Sequence, residues 1–218
     1  MDFRFVRHNG VFQIQGADRT ALAAAGIRID RSRRGEDVLG APAASAPAGM
    51  DAQVLQFRFR SRGFFAVEPG AHLAVGVTGA WRKDNPLTPA RDGLLVGRGL
   101  ILGNVSAAAN GCAAAPVVEI ESFRRHGNRL FQPSCSRPLQ ENTWYRITLV
   151  ANRAGGVAYR LSDSEGRLLD AAAVADAGAD IPSDLAGWWL LHVFAGQHPE
   201  RDWALDVSDL RVSWRPRR

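Results

Sequence analysis

Lysine is almost absent from this chain: Lys83 is the only one, and every other basic residue is arginine. Such a composition, rich in Arg, Ala and Gly, fits a GC-rich bacterial genome. The net charge of +5 is therefore weak evidence for a nucleic-acid partner. The arginines are scattered in sequence, with short clusters only at 31–34, 58–62 and 215–218, where a nucleic-acid surface needs a concentrated basic stripe. No nucleic-acid partner is expected. Long apolar runs are also missing, and none approaches the roughly eighteen residues of a membrane-spanning helix. The first ten residues, MDFRFVRHNG, carry early charges and no apolar segment, unlike a secretory leader. A cytoplasmic location is the default expectation. Cysteine is scarce: Cys112 and Cys135 make no disulfide framework. They flank one candidate strand, so free thiols and a single bridge across its ends both stay open. No apolar stripe of helical period exceeds about two turns.

Compact chemical motifs are missing too. There is no His-x-x-x-His, no Cys-x-x-Cys and no EF-hand loop. Gly97-Arg98-Gly99 has no downstream helix to complete an anion site, and no serine sits in a nucleophile elbow. Asp202, Asp206 and Asp209 are too dispersed to define a metal site. No cofactor is expected, and Ca²⁺ has no motif to support it.

The 218 residues, 46% hydrophobic and 22% charged, suit one large all-β domain. Phe3, Phe5 and then Val11, Phe12, Ile14 flank His8-Asn9-Gly10, which predicts a hairpin with an Asn-Gly turn. Residues 20–25 suggest a short helical turn, 28–37 a polar loop and 41–50 a Pro/Ala-rich loop. Residues 1–50 thus read as an arm preceding a body at 53–214. Within that body a period near two recurs over 53–59, 72–77, 93–105, 117–123, 144–151, 156–161, 167–171 and 203–214. Residues 188–195 are almost wholly apolar, as in a strand buried on both faces. Asp163-Ser164-Glu165-Gly166 is a turn. The best helical candidate, 170–176, is short and Ala-rich. Many short strands between Gly, Asp and Pro turns predict an antiparallel two-sheet β-sandwich.

The order GRGLILGN (97–104), VVEIESF (117–123), NTWYRITLVAN (142–152), AYRLSDSEGRLLD (158–170), WWLLHVFAG (188–196) and WALDVSDLRVSW (203–214) resembles the concanavalin A-like lectin/glucanase superfamily. That resemblance implies a jelly roll with one concave sheet face that often holds a glycan. Fold alone does not carry the function.

The most pointed candidates lie at 117–123. Glu119, Glu121 and Phe123 share one face of a strand and Val118 and Ile120 the other. Alternate positions are about 6.5–7 Å apart, near the spacing of paired glycosidase carboxylates. The laminarinase-like glucanases of the superfamily carry Glu-x-Asp-x-x-Glu. Here Glu119 matches the first position, Glu121 replaces the Asp, and Arg124 stands where the last Glu belongs, so the catalytic set is incomplete. His192 shares a course with Trp188, Leu190 and Phe194; it reads as a core histidine or, facing the cleft, as a proton shuttle. Arg146 shares the outward face with Trp144 and Thr148 and can pair with the two glutamates if their strands line one face. Trp81, in the polar segment Trp81-Arg82-Lys83-Asp84-Asn85-Pro86, is the best exposed aromatic for stacking on a sugar, with Trp203 second. Trp144 and Trp214 read as packing in the core or at its edge.

Three functions follow from these residues. The first is a non-catalytic, lectin-like domain holding a glycan on the concave face through Glu119, Glu121, Phe123, Arg146, His192 and Trp81. The second is a glycoside hydrolase, or a polysaccharide lyase with His192 as base and Arg146 as counter-cation. The third is an interaction module without a small ligand.

Overall fold

The computed structural model describes residues 3–8, 11–15, 28–30, 36–42, 46–66, 71–78, 97–103, 117–123, 129–135, 139–175, 188–194 and 203–216. Fourteen strands follow one another: β1 (Phe3–His8), β2 (Val11–Gln15), β3 (Arg28–Asp30), β4 (Glu36–Pro42), β5 (Met50–Arg62), β6 (His72–Thr78), β7 (Gly97–Gly103), β8 (Val117–Phe123), β9 (Arg129–Cys135), β10 (Trp144–Asn152), β11 (Val157–Ser162), β12 (Leu168–Val174), β13 (Trp188–Phe194) and β14 (Trp203–Pro216). One 3₁₀ turn, Phe64–Ala66, interrupts them, and no α-helix occurs among the described residues.

The strands form two seven-stranded sheets. Sheet I has the order β12-β11-β10-β5-β14-β1-β2 and sheet II the order β3-β4-β13-β6-β7-β8-β9. Neighbouring strands are antiparallel throughout. β6 to β9 run as a meander in sheet II. The chain then crosses to sheet I for β10 to β12, returns for β13 and crosses again for β14.

Alternation along each strand sends every second side chain between the sheets. From sheet I come Leu55, Phe57, Phe59, Ile147, Leu161 and Leu205, and from sheet II Leu39, Leu73, Val75, Leu100, Leu191 and Val193, all at 0–1% exposure. Each such side chain contributes on the order of 2 kcal/mol through removal from water. Aromatic rings fill one end of this layer: Phe59 lies 5.7 Å from Tyr145, and Phe64 5.0 Å from Trp203. Trp203 is 3% exposed, so it belongs to the packed interior and not to a sugar-facing loop. Its course is shared with Leu205 and Val207, which the polar segment before it did not reveal.

Three segments differ from their sequence-based expectation. The polar stretch 28–37 contains β3 and the start of β4, which pair with each other and, through β4, with β13. Residues 168–174 form an edge strand on β11, although alanine there favours helix; tertiary pairing overrides propensity. β9 carries Pro133 and escapes the alternation test, and it lies at the edge of sheet II where a missing N–H costs no ladder bond. The predicted hairpin at 3–14 is present, and it extends sheet I beyond β14.

β14 shows a phase change already visible in its sequence. Leu205 and Val207 alternate, and then Leu210, Val212 and Trp214 do. A β-bulge falls between Ser208 and Arg211, with Asp209 at φ 54°. One extra residue shifts the side-chain course by a position.

Candidate functional site

The register of sheet II decides which face each candidate position occupies. Ile120 stands opposite Leu100, Leu100 opposite Val75, Val75 opposite Leu191 and Leu191 opposite Leu39. The last four are at 0–1% exposure in the core, so this row faces sheet I. The rows on either side therefore belong to the outward face. One of them runs Glu119, Ile101, Ala74, His192, Val38; the other runs Glu121, Gly99, Gly76, Leu190, Gly40. A third outward row runs Phe123, Gly97, Thr78, Trp188, Pro42. By register, the positions of Glu119, Glu121, Phe123 and His192 thus fall on these alternate rows of one sheet.

The middle of that face is shielded from solvent. Ala74 and Ile101 lie on the outward course, yet they are 1% and 6% exposed. The neighbouring row has Gly76 and Gly99 side by side on β6 and β7. A Cβ at Gly99 would run into the Val75 carbonyl oxygen and the Gly76 Cα, and one at Gly103 into the backbone of Ala71 and His72. Glycine is required there because the two backbones approach too closely for any side chain. The result is a strip of small residues flanked by β8, which carries the two glutamates, and by β13, which carries His192.

This strip also limits the chemistry. His192 and Glu119 share a row but are separated by β6 and β7. Three strand spacings put their backbones about 14 Å apart. The expectation that His192 stands beside the glutamates is not met by the strand order, which puts β6 and β7 between β13 and β8.

Arg146 is not part of this face. It is exposed on β10 in sheet I, opposite Arg58 on β5 and Ser162 on β11. The chain crosses between sheets after β9, so β8 and β10 are never neighbours. The outward faces of the two sheets point in opposite directions. An Arg146–Glu119 or Arg146–Glu121 pair on one groove is thereby excluded, and with it a lyase centre combining His192 and Arg146. The alternation of Trp144 to Asn152 itself is as expected, with Tyr145, Ile147 and Leu149 at 6%, 0% and 1% exposure. Trp81 lies outside the described residues, as do Arg124 and Cys112; Cys135 ends β9 opposite Val117.

The outward face of sheet I holds a constellation that sequence reasoning passed over. Asp206 on β14 is 7% exposed. Arg60 donates to its Oδ2 through Nε at 2.9 Å and Nη2 at 2.6 Å. Arg62 Nη2 donates to Oδ1 at 3.3 Å. Arg4 Nε forms an ion pair with Oδ1 at 3.0 Å, although it is off the line a hydrogen bond needs. Trp144, expected in the core or at its edge, is half-buried on this outward face, with the guanidiniums of Arg58 and Arg60 at 4.9 Å and 4.8 Å from its ring. Those are cation–π distances. The signal was the alternation of Arg58, Arg60 and Arg62 with Phe57, Phe59 and Ser61: it aims three guanidiniums outward, and only the β5–β14 register brings Asp206 to them.

Among the described residues no group of three His, Cys, Asp or Glu side chains is placed to hold a metal ion. No described helix is long and apolar enough to cross a membrane.

No protein-family model matches the chain, and no curated protein does. Solved structures do. The basic lectin of winged bean, solved with Tn-antigen, matches 96% of this chain with 98% of its own, at 12% identity and TM-score 0.54. Arcelin-5, a lectin-like defence protein from Phaseolus vulgaris, matches 100% with 99% of its own, at 8% identity and TM-score 0.53. The exoplasmic domain of VIP36, in its Ca²⁺- and Man3GlcNAc-bound form, matches 86% with 80% of its own, at 11% identity and TM-score 0.51. The fold is the concanavalin A-like jelly-roll sandwich that the sequence resembles.

Proposed function

We propose that this chain is a lectin-like carbohydrate-binding domain whose glycan seats on the outward face of sheet II, over the Gly76–Gly99 strip and beside Glu119 and Glu121. The reading is supported by the register, which sets the positions of Glu119, Glu121, Phe123 and His192 on the rows that alternate with the buried Leu100, Val75 and Leu191 row, beside Gly76 and Gly99. Carboxylates accept hydrogen bonds from sugar hydroxyls, and charge assistance makes those bonds strong. A floor of glycine lets a pyranose ring approach the backbone. Phe123 supplies an apolar surface for its C–H face, and Trp81 is a further aromatic for the same purpose.

Binding without catalysis fits the residues better than hydrolysis or elimination. Arg124 replaces the last acid of the glucanase pattern, His192 is three strands from Glu119, and Arg146 is on the other sheet. A glycan array tests the reading, with reducing-sugar release and unsaturated-product absorbance measured on the same glycans. The expected outcome is retention of at least one glycan, lost in Glu121→Gln, with no product in either assay. An array without binding, or binding unchanged in Glu119→Gln and Glu121→Gln, would falsify it.

A further inference from the structure

The opposite face of the sandwich carries an excess of guanidiniums that glycan binding on sheet II does not use. Three successive outward rows of sheet I run Arg4, Asp206, Arg60, Trp144; then Ser208, Arg58, Arg146, Ser162; then Arg211, Gln56, Thr148, Arg160. Six arginines stand on these rows. They face one buried carboxylate, Asp206, and one exposed carboxylate, Asp209, whose contact with Arg58 is 3.4 Å. Arg146, Arg160 and Arg211 are exposed and pair with no carboxylate among the described residues. Arg58 and Arg146 are directly opposite each other, an arrangement that costs stability in a sheet. Asp206 and Asp209 offset two of the six charges, and Trp144 holds the guanidiniums of Arg58 and Arg60 in place without offsetting either.

We infer that this face is a docking surface for a linear acidic polysaccharide, one carrying sulfate or carboxylate groups at regular intervals. Charge complementarity selects a polyanion. Arg58 and Arg60 stand about 6.8 Å apart along β5, and Arg58 and Arg146 about 4.8 Å apart across strands, so an extended chain crossing these rows meets several cations at once. Between them lie Gln56, Thr148, Ser162 and Ser208, neutral groups suited to the hydroxyls of sugar rings, with Gln56 already donating to Thr148 at 3.2 Å. Guanidinium matches sulfate and carboxylate through paired N–H donors. A single-stranded nucleic acid needs free aromatic rings for its bases, and the one aromatic on these rows, Trp144, is already covered by two guanidiniums. A second copy of this chain is disfavoured, because a two-fold contact sets the same cations against each other.

The experiment is retention on immobilised heparin, followed by calorimetric titration with heparin, polygalacturonate, neutral dextran and a single-stranded oligonucleotide. The parent chain is expected to bind heparin or polygalacturonate, with affinity falling steeply as salt screens the charges, and to ignore dextran. The variant R146Q/R160Q/R211Q alters exposed side chains only. It is expected to fold as the parent does and to lose about tenfold or more in affinity. R146K/R160K/R211K keeps the charge and is expected to recover only part of that loss. Glu121→Gln is expected to leave polyanion binding unchanged, which separates this surface from the one on sheet II. Failure to bind either polyanion at low salt, equal binding by R146Q/R160Q/R211Q, or tighter binding of the oligonucleotide than of both polysaccharides would overturn the proposal.

Discussion

Arg58 and Arg146 stand directly opposite each other on adjacent strands of sheet I, and both point away from the core. Two like charges in that relation oppose the pairing of β5 with β10, which the buried faces of the same strands hold through Phe57, Phe59, Tyr145 and Ile147. The outward face of sheet I is thus stabilised from behind, and its exposed Arg146, Arg160 and Arg211 are free to serve something other than stability.

Removing one member of the pair is expected to stabilise the fold. Arg146→Gln relieves the repulsion, worth about 0.2–1 kcal/mol. Thermal unfolding checks this, with a rise of about 1–3 °C expected for a chain of this size.

Asp206→Asn acts in the opposite direction. It leaves the guanidiniums of Arg4, Arg60 and Arg62 around a neutral amide. Those side chains are about one-third exposed, so solvent screens much of the loss. The expected cost is about 2 kcal/mol, by analogy with hydrogen bonds to charged groups. Denaturant titration reads it as a lower midpoint at unchanged slope.

Gly99→Ala tests the close approach of β6 and β7. The added methyl meets Val75 and Gly76 backbone atoms, which cannot yield as a flexible side chain would. A loss of about 1–3 kcal/mol is expected, measured by denaturant unfolding. Gly166→Ala is the control at a site with open space around it: there the penalty comes only from the positive φ of 84°.

The turn between β11 and β12 carries a pH signature. Burial pushes the Asp163 carboxyl up, but hydrogen bonds and charge from Arg167 outweigh burial and hold it below the usual carboxylate range. The folded pKa is lower than the unfolded one, so this contact contributes fully above about pH 4. Its contribution fades as the pH drops below that point through the folded value. Stability of the parent and of Asp163→Asn, compared from neutral pH downwards, is expected to converge in the acid range.

Much of the framework was legible in the residues, because alternation reports burial directly. Val117–Phe123 and Trp188–Phe194 stand out in sequence almost to the residue, as does the Asp163–Gly166 turn. β3 and β4 were not legible, since Glu36, Asp37, Gly40 and Pro42 resemble a loop until β13 arrives from far along the chain to pair with them. The site was half legible for a related reason. Period two tells which residues share a side of a strand, and so it grouped Glu119 with Glu121 and set Arg146 outward. It does not tell which sheet a strand joins. That depends on the crossing after β9, and it separates Arg146 from the glutamates while gathering it with Arg58, Arg160 and Arg211. The scatter of arginines in sequence likewise hid their concentration on one face.

The most direct measurement of glycan seating on sheet II is an amide chemical-shift map, recorded while the chain is titrated with an uncharged glycan retained on the array. The account predicts the largest shifts along β6, β7, β8 and β13, centred on Gly76, Gly99, Glu119 and Glu121, with β5, β10 and β14 unmoved. Shifts confined to those last three strands, with β8 silent, would contradict it.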